Sequence, residues 1–520
     1  MASTNEKPST AEEKDGVVPN TLPNSSAQPD VDRTSTSSQD GLSGYVLIIV
    51  IFSLCLAQFL AALDITIVAT ALPTIAKHLD ITGAQYTWIG SSYNLASTAS
   101  TPLWARCSDI WGRKPVLLTA NAAFMSGSLI AGLANSSGML IGGRTLQGLG
   151  GGGIVITVSI IIADLFPLRE RAKYYGFSAV VWAIASALGP VIGGVFTGTV
   201  GWRWCFFINL PFDATSLGLL WFVLRIETPK TGVIEGFKDF DWIGSITIVS
   251  GTICFLCGLE GGASSSYGWA SAYTLCLFVI GIFVIGCFVI YEMHFASLPL
   301  VPMRIFVGRV NIAALMSATL HSFVFISYDY FLPLFYQVIL GASPIMSGVY
   351  LLALVVPLSL ISAATGAFIK RTGDYHHAAW FGSIVMTIGT GLFINFSSTY
   401  ILWKIIAYQV IAGIGAGPLF LSPMIALQNH LRKNDIAAGT AAFTFLRSIA
   451  TSISIVVGGV IIQKGADSNS LIDIGFGQDS NTAQRKERYT NALSTLWIFY
   501  TAITGLLILT SFMITKRSHD

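Results

Sequence analysis

The chain has 520 residues, 53% of them hydrophobic and only 11% charged, where a soluble protein carries about 25% charged residues. With a mean hydropathy of +0.67, this composition excludes a soluble globular domain and implies an all-α integral membrane protein. The formal net charge of +2, with no basic tract, argues against nucleic acid as a partner, and seven cysteines, mostly inside apolar runs, form no disulfide framework.

Residues 1–44, rich in Ser, Thr, Pro, Asn and acid, lack the apolar core of a signal peptide and predict a disordered tail. At roughly 20 apolar residues per span, fourteen membrane helices follow. They are expected near 45–73, 86–106, 116–134, 138–163, 174–198, 204–225, 241–260, 272–291, 309–337, 344–368, 378–396, 400–427, 437–462 and 492–514. With both termini in the cytosol, inside loops hold 17 basic residues, among them Arg106, Arg113, Lys114, Arg169, Lys370 and Arg371. Outside loops then hold 7, including four in the long loop around 463–491, so the positive-inside rule places both termini in the cytosol. Asn135 and Asn395 head N-x-S sequons on the outer side, each close to a membrane edge.

In the fourth span, RTLQGLGGGGIV (Arg144–Val155) places Gly148, Gly150 and Gly153 in a G-x-G-x-x-G pattern. A dinucleotide loop needs a strand before it, a helix after it and an acid about 20 residues on. No strand pattern precedes Gly148, and the acid nearest that distance, Glu170, lies between Arg169 and Arg171 in a turn. The glycines read instead as a smooth face for a neighbouring helix. No enzyme activity, cofactor or metal is expected. Cys254 and Cys257 form a C-x-x-C inside an apolar helix, where helix packing is the preferred role.

Charged residues inside spans cost about 2.5–3.5 kcal/mol each on insertion scales, so their positions are informative. Asp64 of the first span and Asp329 of the ninth are 265 residues apart. The same offset relates Arg106 to Arg371, Asp109 to Asp374, and Gly148, Gly150 and Gly152 to Gly413, Gly415 and Gly417. The chain therefore divides into a tail (1–44), a six-helix half (45–225), two inserted helices with linkers (226–308), a second six-helix half (309–515) and a short C-terminus (516–520).

Five stretches are distinctive in combination: LDITIVATALPTIA (Leu63–Ala76), ARCSDIWGRK (Ala105–Lys114), RTLQG (Arg144–Gly148), ALGPVIGG (Ala187–Gly194) and GWRWCFFINLP (Gly201–Pro211). Together they resemble the fourteen-span drug/proton antiporters of the major facilitator superfamily, in particular fungal exporters of drugs and secondary metabolites. The resemblance extends over nearly all of 45–515 and implies the major facilitator fold. In the second stretch Ala105 and Cys107 stand where the family has Gly and Leu.

The resemblance implies proton coupling through Asp64 and Arg144. A carboxylate in an apolar span must be protonated or paired, as a reversible proton carrier requires, and a fixed cation nearby helps release the proton; a structural hydrogen bond is the plainer alternative for each. Asp109, Gly112, Arg113 and Lys114 form the cytosolic gate motif, with Asp109 and Arg113 as a clasp and simple charge anchoring as the alternative. Gly189, Pro190, Gly193 and Gly194 match the helix motif of exporters, combining a bend with close helix approach. Asp329 is a third proton-coupling candidate, or a partner for a cationic substrate. Gln147, Tyr93, Trp182, Tyr328, Tyr330 and Arg447 are candidates for the substrate cavity, although an aromatic in a span more often serves packing; Arg447 either pairs with an acid or binds an anionic group. Asp213 stands where relatives more often have a small or apolar residue and has no role from sequence.

The expected function is export of amphipathic small molecules in exchange for protons by alternating access, by a monomer in the lipid bilayer, with the plasma membrane preferred over the vacuole. Vacuolar uptake of basic amino acids or metal chelates, and a non-transporting membrane sensor, remain alternatives.

Overall fold

A computed structural model describes residues 44–81, 83–224, 232–238, 240–263, 268–296, 299–397, 401–466 and 482–515. The tail expected over 1–44 (all but Gly44) and the C-terminus over 516–520 lie outside the described residues. Among the described residues, fourteen long helices follow one another. The first six are α1 (Gly44–Leu79), α2 (Gly83–Trp111), α3 (Arg113–Gly132), α4 (Ser137–Leu165), α5 (Leu168–Gly198) and α6 (Asn209–Val223), the last led in by a helical turn at Trp204–Phe207. Then come α7 (Trp242–Ala263) and α8 (Ala272–His294). The last six are α9 (Arg309–Leu334), α10 (Pro344–Thr372), α11 (His376–Leu392), α12 (Leu402–Leu419), α13 (Ile436–Ala466) and α14 (Thr482–Phe512). There is no strand among the described residues.

Thirteen of these helical segments are long and apolar enough to cross a membrane, and α2 is the exception. Its sequence is interrupted by Ser92, Thr98, Ser100, Thr101 and Ser108, all buried. Their presence is tolerated because hydroxyls turn back onto the helix's own carbonyls, as Thr101 does to Ser97 (2.8 Å) and Ser108 to Ala105 (2.7 Å). Prolines account for the irregular ends. Pro333 precedes a π turn at Phe335–Ile339, and Pro418 precedes the break after which α12 resumes as Ser422–His430.

The glycine repeat is a packing repeat. A Cβ at Gly152 of α4 would lie 2.6 Å from the Ser97 carbonyl oxygen of α2, and one at Gly150 would lie 2.6 Å from that of Ala120 in α3. In the second half a Cβ at Gly417 of α12 would lie 2.8 Å from the Leu358 carbonyl oxygen of α10, and one at Gly415 would lie 2.6 Å from the Val385 carbonyl carbon of α11. Helices α4 and α12 thus occupy corresponding places, each held at backbone contact with two neighbours because glycine leaves room there.

The halves meet along two seams. Helix α5 lies along α10, and α13 lies along α2 and α4. The inserted pair is held together by reciprocal glycines: a Cβ at Gly258 would reach the backbone nitrogen of Phe278 at 2.5 Å, and one at Gly281 would reach Phe255 Cα at 2.6 Å. Helix α7 docks on α2 and α13, so the insertion covers the second seam. Helix α8 turns outward with Val279, Ile282, Phe283 and Ile290 exposed, a face suited to lipid.

Candidate functional site

Helix α1 is apolar for most of its length, and Asp64 in its middle is fully buried. Arg144 of α4, also buried, donates through Nη1 to Asp64 Oδ2, and the two form an ion pair. The glycine face beyond Arg144 explains how a long guanidinium fits, because it lets α2 and α3 pack close to α4. Gln147, one turn on, accepts from Arg144 through Oε1 (3.0 Å) and donates through Nε2 to Asp64 Oδ1 (2.9 Å) and Ser128 Oγ (2.8 Å). Asn209 of α6 donates to the same Asp64 oxygen (3.1 Å) and to Ser128 (3.3 Å). Arg144 Nε reaches the Ile89 carbonyl (3.3 Å), and its guanidinium lies over the Tyr93 ring at 4.6 Å. The Tyr93 hydroxyl donates to the Ala61 carbonyl at 3.2 Å. Two helices, α4 and α6, therefore converge on one carboxylate, and α2 and α3 hold the groups that reach it.

Asp213 lies one turn beyond Asn209 on α6, fully buried, with no hydrogen-bond partner for either carboxylate oxygen. It stands one turn from the Asn209 amide that donates to Asp64. Asn209, Ser128 and the Ile89 carbonyl are absent from the sequence-based set. They lie 145, 64 and 25 residues from Asp64, at spacings no local motif links; the sole signal was the rarity of Asn and Asp in an apolar span.

The ALGPVIGG stretch packs on α1 immediately beyond Asp64. A Cβ at Gly189 would clash with Thr66, and one at Gly193 would come within 2.7 Å of the Ile67 carbonyl oxygen. Gly194 faces Ile345 of α10, and Pro190 faces Gly348. Trp182, earlier on α5, packs beside Ala62, Leu63 and Ala185. The motif thus joins the helix bearing Asp64 to the α5/α10 seam.

At one end of the molecule Arg113 Nη1 donates to Asp109 Oδ1 (2.5 Å) and Ser108 Oγ (2.9 Å), while Nε donates to Asp164 Oδ2 of α4 (2.8 Å). Gly112 makes the turn between α2 and α3 with φ 93°, a left-handed conformation that favours glycine. Lys114 donates to the Trp221 carbonyl of α6 at 2.6 Å. At this same end the halves touch. Ala105, Ile156 and Ile160 pack on Ala437 and Ala441, Glu170 pairs with Lys370 at 3.4 Å, and Gln428 bridges Arg171 and Tyr175 at 3.3 and 3.0 Å. Arg304 forks onto Asp435 (2.9 and 2.6 Å), whose hydrogen bonds and charge push the guanidinium above its ordinary value.

The remaining candidates lie in the second half, apart from Asp64. Asp329 Oδ1 has no hydrogen-bond partner. Tyr328 is buried and bonds to Thr390, and Tyr330 is exposed beside Phe331. Arg447 of α13 donates through Nε to Ser322 Oγ of α9 (2.6 Å) and lies over the rings of Phe420 (5.1 Å) and Phe443 (5.6 Å). His321, absent from the sequence-based set, stands edge-on to Phe420 at 4.8 Å. Glu260 of α7, also absent, accepts from Ser91 of α2. Asn135 accepts from Arg203 (3.1 Å). The one group with metal-ligand chemistry among the described residues is Asp374, His376 and His377, whose ligand atoms all lie within 4.8 Å of one another.

Comparison with known proteins agrees with this geometry. The family model of the Major Facilitator Superfamily matches residues 54–455. The chain is 47% identical over 487 residues to "Efflux pump dotC" of Dothistroma septosporum, covering 90% of this chain and 84% of that protein. It is 38% identical to "MFS-type transporter ppz2" of Metarhizium majus, covering 91% and 86%. Among solved structures, the proton:xylose symporter XylE superposes with a TM-score of 0.60 at 14% identity, covering 90% of this chain and 95% of that one, a likeness of fold. The chain belongs to the major facilitator superfamily: it is a multi-pass membrane transporter of small molecules, not an enzyme.

Proposed function

We propose that this protein exports amphipathic small molecules, such as drugs, toxins or secondary metabolites, in exchange for protons by alternating access. The observation that carries this reading is the buried Asp64–Arg144 pair with Gln147, Asn209 and Ser128 around it. Removing two charges from water is costly, and the pair is tolerable because both charges are present and their hydrogen bonds are satisfied. A proton on Asp64 cancels one charge and leaves Arg144 with the neutral acceptors Gln147 Oε1 and the Ile89 carbonyl. The attraction holding α4 to α1 then falls, and the two helices can repack. Because Gly189 and Gly193 press α5 against α1 just beyond Asp64, repacking there reaches the α5/α10 seam between the halves. At the other end of α4, Asp164 holds Arg113, so the same helix carries the change to the Asp109–Arg113 clasp. Asp213 is a second place where a proton can sit, one turn from Asn209. The efflux pump of D. septosporum, similar over nearly the whole chain, supports the outward direction. We take the basic end as cytosolic, the plasma membrane as the site of action and the monomer as the working unit.

The test is transport by the purified protein in vesicles with an imposed pH gradient, screened with dyes, azoles and fungal metabolites. Wild-type protein is expected to concentrate a substrate against its gradient, and Asp64→Asn to lose that ability while still equilibrating the substrate. Accumulation by Asp64→Asn equal to wild type would remove Asp64 from coupling. Higher cytosolic substrate in cells overproducing the protein would overturn the direction.

A further inference from the structure

The second half contains a half-buried cation with no counter-charge. Among the described residues Arg447 makes no ion pair; Nε donates to the Ser322 hydroxyl, the guanidinium lies over the faces of Phe420 and Phe443, and His321, edge-on to Phe420, stands nearby. An acid to match it is missing from its surroundings as well. Helices α12, over Leu402–His430, and α13 contain no Asp or Glu. The single acid of α9, Asp329, is seven residues beyond Ser322, about 10 Å along the helix. The contrast with Arg144, which has a carboxylate, an amide and a carbonyl, is a contrast in what each site lacks. Aromatic faces offset part of a cation's desolvation but offer no acceptor to the guanidinium's other N–H groups. What completes this site is a planar anion, which a guanidinium can meet with two parallel hydrogen bonds.

The walls specify the rest of the ligand. Phe420 packs edge-on to both His321 (4.8 Å) and Phe325 (4.9 Å), so an aromatic shelf runs from Arg447 toward α9. Helix α13 lies along α2 and α4, which sets Arg447 on a helix of the seam between the halves, where an alternating-access carrier holds its cargo. We infer that Arg447 is the counter-ion for the exported molecule, and that the preferred substrates are aromatic or conjugated organic anions such as carboxylates, sulfonates and acidic phenolates. This deepens the export reading and rests on it. It also fixes a charge balance: a proton moving inward and a monoanion moving outward transfer charge in the same sense, so an inside-negative potential drives both.

The experiment is equilibrium binding to the purified full-length protein in nanodiscs, with no pH gradient. Three fluorescent probes share one ring system: 9-anthracenecarboxylate, its methyl ester, and (9-anthracenylmethyl)trimethylammonium. Wild-type protein is expected to bind the carboxylate about tenfold or more tightly than the ester, and the ammonium probe least. Arg447→Gln should abolish that preference and leave ester binding unchanged, and Arg447→Lys should retain part of it. Equal or tighter binding of the ester or the cation by wild type overturns the inference, whatever the variants do; so does an undiminished preference in Arg447→Gln. Asp64→Asn, in the other half, separates the two readings. It should keep the anion preference while losing transport driven by pH, and a wild-type protein that prefers the anion but ignores pH gradients refutes proton exchange alone.

Discussion

Asp64 and Asp329 occupy corresponding places, 265 residues apart, yet one is among the most fully partnered side chains in the molecule and the other has an unbonded oxygen. The same offset carries Arg144 to Gln409, Gln147 to Ala412 and Ser128 to Phe393. Gln409 bonds back to its own helix at the Ile405 carbonyl (2.8 Å), and its Oε1 has no partner. Next to Asp329 in the chain, Tyr328 joins Phe393, at the place corresponding to Ser128, and Trp497 in a ring cluster with centroids 5.0–6.1 Å apart. The duplicated scaffold kept its glycine contacts in both halves while the polar chemistry was retained in one. A satisfied ion pair suits a group that changes charge in place, and an unmatched cation among rings suits a visiting ligand.

The comparison is broken most directly by removing the cation. Arg144→Leu leaves Asp64 buried without its counter-charge and should cost about 3–5 kcal/mol of stability, seen as a large fall in the thermal midpoint of the purified protein. Gln409→Leu, at the corresponding place, removes a neutral amide bonded to its own helix and should cost about 1 kcal/mol or less. Equal losses would mean that the second site is as tightly built as the first.

Where the halves are alike, equivalent changes should act alike. Gly150→Ala and Gly415→Ala each drive a Cβ into a neighbouring helix's backbone, and each should cost about 1–3 kcal/mol. A variant tolerated in one half alone would show that the glycine contacts have diverged along with the polar groups.

Asp213 sharpens the comparison within the first half, because its effect has the opposite sign. Replacing a buried carboxyl group that has no partner with an apolar side chain of similar volume is neutral or stabilising. Asp213→Leu should therefore leave the thermal midpoint unchanged or raise it, by about 1–2 kcal/mol in stability terms. Asp64→Leu should lower it, since Arg144, Gln147 and Asn209 would all lose their acceptor. A destabilised Asp213→Leu would reveal a partner for that carboxyl group.

Much of this was legible in the sequence because a bilayer makes polar residues rare and therefore conspicuous. Fourteen spans, the 265-residue repeat, Asp64, Arg144, Gln147 and the Asp109–Arg113 pair were all visible as departures from apolar helix. What was not legible is pairing through space. Asp164 stands 51 residues from Arg113, and Asn209 stands 145 from Asp64; neither spacing is a motif. The repeat itself misleads here, since it suggests a partnered acid at Asp329 where Arg144 has become Gln409. Tyr328 and Tyr330 show the limit for aromatics: composition cannot tell a ring packed in the core from an exposed one two residues away.

The smallest effects are expected in the two corresponding loops, where Asp109 meets Arg113 and Asp374 meets histidines. Arg113, largely buried, bonds to Asp109 but keeps Asp164 as a second acid, so Asp109→Asn should cost about 1 kcal/mol in stability. Asp374 lies 3.9 and 3.5 Å from the ring nitrogens of His376 and His377, which carry charge only when protonated, so Asp374→Asn should cost a few tenths of a kcal/mol, about the value of an exposed pair. Transport rates separate the two better than stability does. If the first loop alone is a clasp, Asp109→Asn changes the rate at which substrate is released and Asp374→Asn does not. A matching change from Asp374→Asn would mean that both loops hold the basic end closed, and that the halves have diverged at their centres while remaining equivalent at their ends.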